Sequence, residues 1–191
     1  MRGVVGVLAL QGDFREHKEA LKRLGIGAKE VRKKEHLVGL KALIVPGGES
    51  TTIGKLAREY GIEDEVRRRV EEDSLALFGT CAGAIWLAKE ILGYPEQPRL
   101  GVLDVAVERN AFGRQVESFE EEVEIKGLGP FRGVFIRAPV FRRLGEGVEV
   151  LAELQGLPVL VRQGKVLASA FHPELTEDPR VHRYFLEMAG V

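Results

Sequence analysis

The residues best suited to covalent chemistry in this chain are its single cysteine and one of its four histidines. Cys81 stands in Gly79-Thr80-Cys81-Ala82-Gly83, directly after the apolar run Leu75-Ala76-Leu77-Phe78 and directly before the helix-like stretch Ala84-Ile85-Trp86-Leu87-Ala88-Lys89. A sharp strand-to-helix turn exposes its central side chain, and flanking glycines permit the close backbone contacts such a turn needs. The helix N-terminus then favours a thiolate. A lone cysteine is commonly a buried structural residue instead. With 23 glycines in 191 residues, however, glycine at both flanking positions arises by chance about once in 70 cysteines, so the pattern favours a nucleophile.

A cysteine nucleophile needs a base. Of His17, His36, His172 and His182, only His172 has a suitable setting, in Ser169-Ala170-Phe171-His172-Pro173-Glu174 at the end of an apolar run. Pro173 biases His172 toward extended geometry, and residues two apart in an extended segment project to the same side. Glu174 is therefore expected beside His172, where a carboxylate fixes the tautomer of the imidazole and leaves the other nitrogen free for the thiol proton. His17 reads as a packed or partner-facing histidine on the apolar side of a helix, His36 as a loop residue among charges, and His182 as a residue of the last helix beside Arg180 and Arg183. None of these three is expected to do chemistry. One cysteine and scattered histidines give no metal-ligand spacing.

An acyl-enzyme mechanism also needs donors for an oxyanion. The amide following the nucleophile, that of Ala82, is one candidate. The other is expected from Pro46-Gly47-Gly48-Glu49, where two successive glycines leave amides accessible and let a peptide rotate without steric penalty.

The elements around these residues alternate. Val4 to Leu10 reads as a strand covered on both faces, Phe14 to Leu24 as a helix ended by Gly25, and Ala28 to Val31 and Ala42 to Val45 as strands. Thr51 to Glu59 and Ile62 to Glu72 read as helices, and Leu75 to Phe78 as a buried strand. This predicts a parallel sheet with helices on both faces. From Val102 to Ser169 the chain becomes strand-rich: Val102 to Glu108, Phe119 to Ile125, Val134 to Arg137, Val148 to Leu154, Val159 to Arg162 and Val166 to Ser169, the last two joined by a Gln163-Gly164-Lys165 hairpin turn. Pro179 to Met188 returns to helical period with Asp178 as N-cap.

The length suits one domain with a substantial core. Net charge is -1, with 45% hydrophobic and 30% charged residues, which gives no electrostatic case for nucleic acid or an anionic membrane. The basic runs Arg67-Arg68-Arg69 and Lys29 to Lys34 read as solvated faces, since glutamates interleave them. No apolar stretch approaches the roughly 20 residues of a membrane span. With one cysteine and a strand-like opening, a cytoplasmic protein is expected. A single asparagine, two methionines and abundant Glu, Arg and Lys lean toward a thermophilic source.

Cys81 in its glycine-flanked turn, His172-Pro173-Glu174 and Pro46-Gly47-Gly48-Glu49-Ser50 together resemble the class I, triad-type glutamine amidotransferases. Within them, Leu8-Ala9-Leu10-Gln11-Gly12, Pro46 to Thr52, Val107 to Gln115, Val134 to Pro139 and Ser169 to Thr176 resemble the glutaminase subunits of pyridoxal 5'-phosphate synthase. The resemblance runs over essentially the whole chain, so it implies one domain over residues 1–191 with the three-layer α/β/α fold and a mixed, mostly parallel central sheet. It implies hydrolysis of L-glutamine to glutamate and ammonia by Cys81, His172 and Glu174 through a thioester. The ammonia passes to a separate synthase subunit in a large hetero-oligomer, and no cofactor or metal is implied. By the same resemblance glutamine is held by Gly47, Gly48, Glu49, Arg109, Ile136 and Arg137. Docking onto the synthase completes an oxyanion hole of Gly47, Gly48 and Ala82, with Gln11 in the docking surface. An arginine fork suits the α-carboxylate of glutamine. Three other readings stay open at the level of sequence: a class I glutaminase serving a different synthase, a non-catalytic regulatory subunit on this scaffold, and a cysteine peptidase on a related α/β fold.

Overall fold

The computed structural model describes residues 4–113 and 117–191, so Arg114 and Gln115 of the segment Val107 to Gln115 lie outside the described residues. Four short apolar stretches build the centre: β1 (Val5–Leu8), β3 (Ala42–Val45), β4 (Ala76–Thr80) and β12 (Val166–Ser169). Every residue in them is buried, as parallel strands covered on both faces require. With β2 (Lys29–Val31), β10 (Glu149–Leu154) and β11 (Leu157–Gln163) they form a seven-stranded sheet in the order β10-β11-β12-β4-β3-β1-β2. Pairing is parallel from β2 through β12 and antiparallel where β11 and β10 are added. The sheet is thus mixed and mostly parallel, as expected.

The chain moves toward one edge of the sheet from β1 to β2, and toward the other from β3 to β4. Right-handed crossovers therefore place α1 (Phe14–Arg23) on one face, with α2 (Ser50–Glu59) and α3 (Ile62–Glu71) on the other. The terminal helix α5 (Arg180–Met188) shares the α1 side, where His182 meets His17 and Phe185 meets Phe78. Helix α1 buries His17, Ala20 and Leu21, the stripe that its spacing predicts, and Gly25 at φ 80° ends the helix by donating to Lys22.

The parallel register decides where chemistry can happen. Val45 pairs with Gly79, and Thr80 with Ser169. The Pro46–Glu49 loop, Cys81 and the Ala170–Glu174 segment consequently leave three adjacent strands at the same carboxyl edge, where open α/β sheets bind their ligands. A hairpin of β7 (Ser118–Ile125) and β8 (Gly129–Ile136) leans on this edge. The amide of His172 donates to Val134 across 2.8 Å, and Phe135 packs on Phe171 with ring centres 5.6 Å apart.

Several sequence expectations change. The helix after Cys81, α4 (Ala82–Leu87), stops at Leu87, and Ala88–Ile91 forms strand β5. Ala88 and Lys89 lie in that strand because it pairs in parallel with β6 (Leu103–Glu108), a tertiary contact that overrides their helix propensity. The strand β9 (Val140–Leu144) was not expected, since its alternation is broken by Arg142-Arg143. Antiparallel pairing with β6 specifies it instead, with Arg143 facing Asp104 and Arg142 facing Glu108. Strand β8 begins at Gly129, five residues before the expected start, because β7 offers an uninterrupted ladder from Ile136 back to Gly129. The run Arg67-Arg68-Arg69 is not simply a solvated face. Arg68 pairs with Glu65 and Glu72, but Arg67 donates to the Leu100 carbonyl and Arg69 to those of Leu37 and Leu40, tying α3 to neighbouring loops. Helix α5 begins at Arg180 with Pro179 in the capping position, one residue later than expected, and Asp178 accepts the Arg180 amide from one residue further out. Among the described residues no helix is long and apolar enough to cross a membrane.

Candidate active site

Cys81 joins β4 to α4 with φ 51° and ψ -108°, a conformation that costs a non-glycine residue about 1–3 kcal/mol. Two backbone bonds hold it there: its amide donates to Ser169 across 2.8 Å, and its carbonyl accepts from Ile85 at 3.1 Å. The flanking glycines serve packing rather than turn geometry. A Cβ on Gly83 would lie 2.0 Å from the Val45 carbonyl oxygen, and one on Gly79 would lie 2.8 Å from the backbone of Gly83. Only hydrogen side chains let α4 seat against β3 and β4 so closely that the cysteine is lifted to the edge of the sheet.

His172 and Glu174 meet as expected, but by a different local route. The segment Pro173–Leu175 forms a 3-10 turn rather than continuing extended, and within it Nδ1 of His172 donates to Glu174 Oε2 across 2.6 Å. A second carboxylate, which sequence reasoning missed, shares this nitrogen: Asp13 Oδ2 lies 3.5 Å away. Asp13 occupies the N-cap position of α1, yet its side chain makes no capping bond. Its place on a loop at the carboxyl edge of the sheet is the only signal that could have marked it.

Electrostatics follow from this crowding. Burial works against the imidazolium of His172, but Asp13, the Cys81 sulfur and Glu174 outweigh it and hold the group well above the ordinary histidine range. Burial pushes Glu174 above the usual carboxylate range and Asp13 adds to that, while His172 pulls back. Burial would raise Asp13 as well, yet its contacts with His172 and Glu174 hold it well below its usual value. Asp13, His172 and Glu174 also bring one donor atom each within 4.8 Å of one another, a grouping invisible in sequence spacing. The short contact to Glu174 assigns a proton to Nδ1, and a protonated nitrogen does not ligate a metal.

The Cys81 sulfur helps to hold the His172 proton, while its own donor bond goes elsewhere. Sγ of Cys81 donates to the Ile136 carbonyl across 3.6 Å, and Nε2 of His172 is buried with no partner among the described residues. Both face a cavity of about 690 Å³, and Glu174 sits behind His172.

The same cavity is lined by every other residue named from sequence: Gln11, Gly47, Gly48, Glu49, Ala82, Arg109, Ile136 and Arg137. Gln11 and the glycine loop interlock. The Gln11 side-chain oxygen accepts the Glu49 amide at 2.8 Å, and a Cβ on Gly48, at φ 154°, would lie 2.2 Å from that oxygen. The Glu49 carboxylate caps α2 by accepting from the amides of Thr51 and Thr52. Arg109 is held in place rather than free. It donates to the Gln97 side chain at 2.8 Å, lies over the Tyr94 ring at 4.3 Å and comes within 3.7 Å of Glu49. Gln97, nearly buried, donates in turn to Ser50. Arg137 adopts φ 43°, with its amide bonded to the Glu117 carbonyl. Gln97 and Tyr94 were missed because they lie in a proline-containing loop whose path the sequence does not reveal.

Comparison with known proteins finds relatives that match the chain over its length. The model of the SNO glutamine amidotransferase family matches residues 7–190. The chain is 90% identical over 191 residues, all of both chains, to a pyridoxal 5'-phosphate synthase subunit PdxT of Thermus thermophilus. It is 58% identical over 188 residues to the subunit of that name from Pseudothermotoga lettingae, covering 98% of this chain and 96% of the relative. A solved structure described as a glutamine amidotransferase superposes with a TM-score of 0.97 at 89% identity, over 98% of this chain and 100% of the other.

Proposed function

The chain belongs to the SNO glutamine amidotransferase family, and from that premise we propose that it is the glutaminase subunit of a pyridoxal 5'-phosphate synthase, a single catalytic domain over residues 1–191 acting in the cytoplasm. One observation carries the reading: Cys81 in its strained turn and His172, paired to Glu174 across 2.6 Å, open on one cavity together with an arginine and a double-glycine loop.

In the reaction so assigned, the thiol proton of Cys81 passes to Nε2 of His172 as Sγ attacks the side-chain amide carbon of glutamine, forming a carbon–sulfur bond while the carbonyl π pair moves onto oxygen. His172 delivers a proton to the nitrogen, the carbon–nitrogen bond breaks, and ammonia leaves a thioester. Water, deprotonated by His172, then attacks the thioester, breaks the carbon–sulfur bond and releases glutamate. Glu174 keeps Nδ1 of His172 protonated, so that Nε2 handles the moving proton. Amides from Ala82 and the Gly47-Gly48 loop hold the oxyanion. Glutamine rests against Gly47, Gly48, Glu49, Ile136 and Arg137, with its α-carboxylate on Arg109.

Ammonia passes to the synthase subunit in a large hetero-oligomer. Docking there through the Gln11 segment reorients the glycine loop and turns the thiol from Ile136 to His172. The present state supports such gating, because Sγ rests on the Ile136 carbonyl while Nε2 of His172 has no partner among the described residues.

The test is glutamine hydrolysis by this chain with and without the synthase subunit, repeated on Cys81→Ala, together with capture of Cys81 by an electrophilic glutamine analogue. Stimulated hydrolysis that vanishes in Cys81→Ala is the expected result. Full activity in the isolated chain would remove the gating, and hydrolysis surviving in Cys81→Ala would remove the mechanism.

A further inference from the structure

Behind Glu174, away from the cavity, three more polar side chains are wholly buried: His17 on α1, Thr80 at the end of β4 and His182 on α5. Phe78 packs edge-on against both imidazoles, with ring centres 6.3 and 5.6 Å away. Polar groups placed in such a seam are costly unless hydrogen-bonded, and their contacts form one chain. Nδ1 of His17 lies 2.9 Å from Nε2 of His182, while Nε2 of His17 lies 3.1 Å from the Thr80 hydroxyl and 3.6 Å from Oε1 of Glu174.

Counting protons orients this chain. A single hydrogen sits between the two imidazoles. Among the described residues Nδ1 of His182 has no partner, and a buried N–H without an acceptor costs more than a bare nitrogen lone pair. Either direction leaves one buried donor unpaired, the Thr80 hydroxyl or Nδ1–H of His182, but the reverse one would also turn the bare Nε2 of His17 toward the Glu174 carboxylate, so His182 carries its hydrogen on Nε2 and donates to Nδ1 of His17. Burial holds both imidazoles neutral, the His182 charge being opposed also by Arg23 and the His17 charge by His182. A neutral His17 that accepts at Nδ1 must carry its hydrogen on Nε2. That N–H faces the Thr80 hydroxyl and Oε1 of Glu174, an oxygen with no hydrogen-bond partner of its own.

We propose that His17 is a positioning residue of the amidotransferase reaction: its Nε2–H, set in that tautomer by His182, faces the outer oxygen of Glu174 and so keeps the inner oxygen on Nδ1 of His172. At 3.6 Å the contact is electrostatic rather than a full hydrogen bond. Its consequence is nonetheless definite, because the terminal torsion of a glutamate is broad and an unheld outer oxygen lets the carboxylate swing. A donor at that oxygen also favours the ionised carboxylate. The groups facing Glu174 are then His172 and Asp13 on the cavity side, and His17, backed by His182 and Arg23, on the other.

This inference rests on the glutaminase reading, and its test separates the two. In asparagine the amide nitrogen stands near the position of histidine Nδ1, and in glutamine near that of Nε2. In the synthase-bound enzyme, His17→Gln should keep kcat for glutamine within about threefold, whereas His17→Asn should lower it about tenfold at unchanged KM. The acid limb of the kcat profile should move to higher pH in His17→Asn, because Glu174 loses a group that favours its anion. His182→Phe, which leaves His17 in place, should reproduce the His17→Asn loss and carries the test if His17→Asn does not fold. Equal losses in the Asn and Gln variants, a change in KM alone, or an unmoved acid limb would overturn the proposal. Nitrogen-15 spectra of the full chain give a readout independent of turnover. A proton on Nε2 of His17 is expected, and one on Nδ1 would overturn the proposal even if no glutaminase activity were found.

Discussion

The amide of Asp13 donates to the carbonyl of Gly47 across 3.1 Å, and the carboxylate of the same residue approaches His172. One residue thus touches both the glycine loop and the base. A trans peptide points its C=O and N–H in opposite directions, so this bond also fixes which way the Gly48 amide faces. Asp13→Asn keeps the backbone bond and removes the charge. Glutamine hydrolysis in the synthase complex is expected to fall about tenfold, with the pH at which His172 loses its proton moving down. An NMR titration of His172 checks the second effect, and an unchanged titration would show that Glu174 alone holds the imidazolium.

Gly83 has no room for a methyl group, since the nearest obstacle is backbone, the Val45 carbonyl oxygen 2.0 Å from an added Cβ. Gly83→Ala is therefore expected to destabilise the fold by more than about 4 kcal/mol or to prevent folding. Denaturant unfolding measures this. Gly93→Ala is the control for a glycine with open space around it, strained only by its φ of 79°, and should cost much less.

Arg109 owes its direction to Gln97, which is itself held by Ser50. Loss of that support should weaken substrate binding in the ground state and the transition state alike. Gln97→Leu is expected to raise KM for glutamine about tenfold with kcat nearly unchanged. A fall in kcat at constant KM would place Arg109 in the chemical step instead.

The buried acid–base group makes stability depend on pH with a definite sign. His172 binds its proton more tightly folded than unfolded, so its contribution is fully present below its ordinary value of 6.5 and is lost as pH rises toward its folded value of about 12. Glu174 acts in the same direction, losing its contribution between 4.5 and about 8. Asp13 acts oppositely, contributing above its ordinary value of 3.8 and losing that contribution as pH falls below it. His17 and His182, both held neutral by burial, contribute stability above 6.5 that is lost as pH falls below it, so the Tm of the free chain should decline only from about pH 7 to about pH 9, and His172→Gln should flatten the decline. An equally steep decline in His172→Gln would assign the effect to other groups.

Local pattern made much of this legible before any coordinates. The apolar runs of β1, β3 and β4 could only be buried parallel strands, and the glycines around Cys81 announced a turn packed tightly on its neighbours. Strands β5 and β9 were not legible, because each is stabilised by its pairing with β6 rather than by its own sequence. The pairing of the two buried histidines was not legible for a related reason. His17 looked like one more position on the apolar stripe of a helix, and His182 stood beside two arginines that imply solvent. Only packing α1 and α5 side by side brings their rings together behind Glu174.

By itself the sequence marked Cys81, His172 and Glu174 with a double-glycine loop as groups whose types and spacing suit covalent chemistry, and parallel strands as the elements to carry them. Those facts depend on residue type and short-range spacing, which a chain states locally. The tertiary structure decided how the groups are charged and aimed: that Asp13 joins Glu174 at one imidazole nitrogen, that the thiol rests on the Ile136 carbonyl, and that His17 stands behind Glu174. Proton affinities and hydrogen-bond directions depend on every neighbour within a few ångströms, and here those neighbours come from strands and helices far apart in sequence.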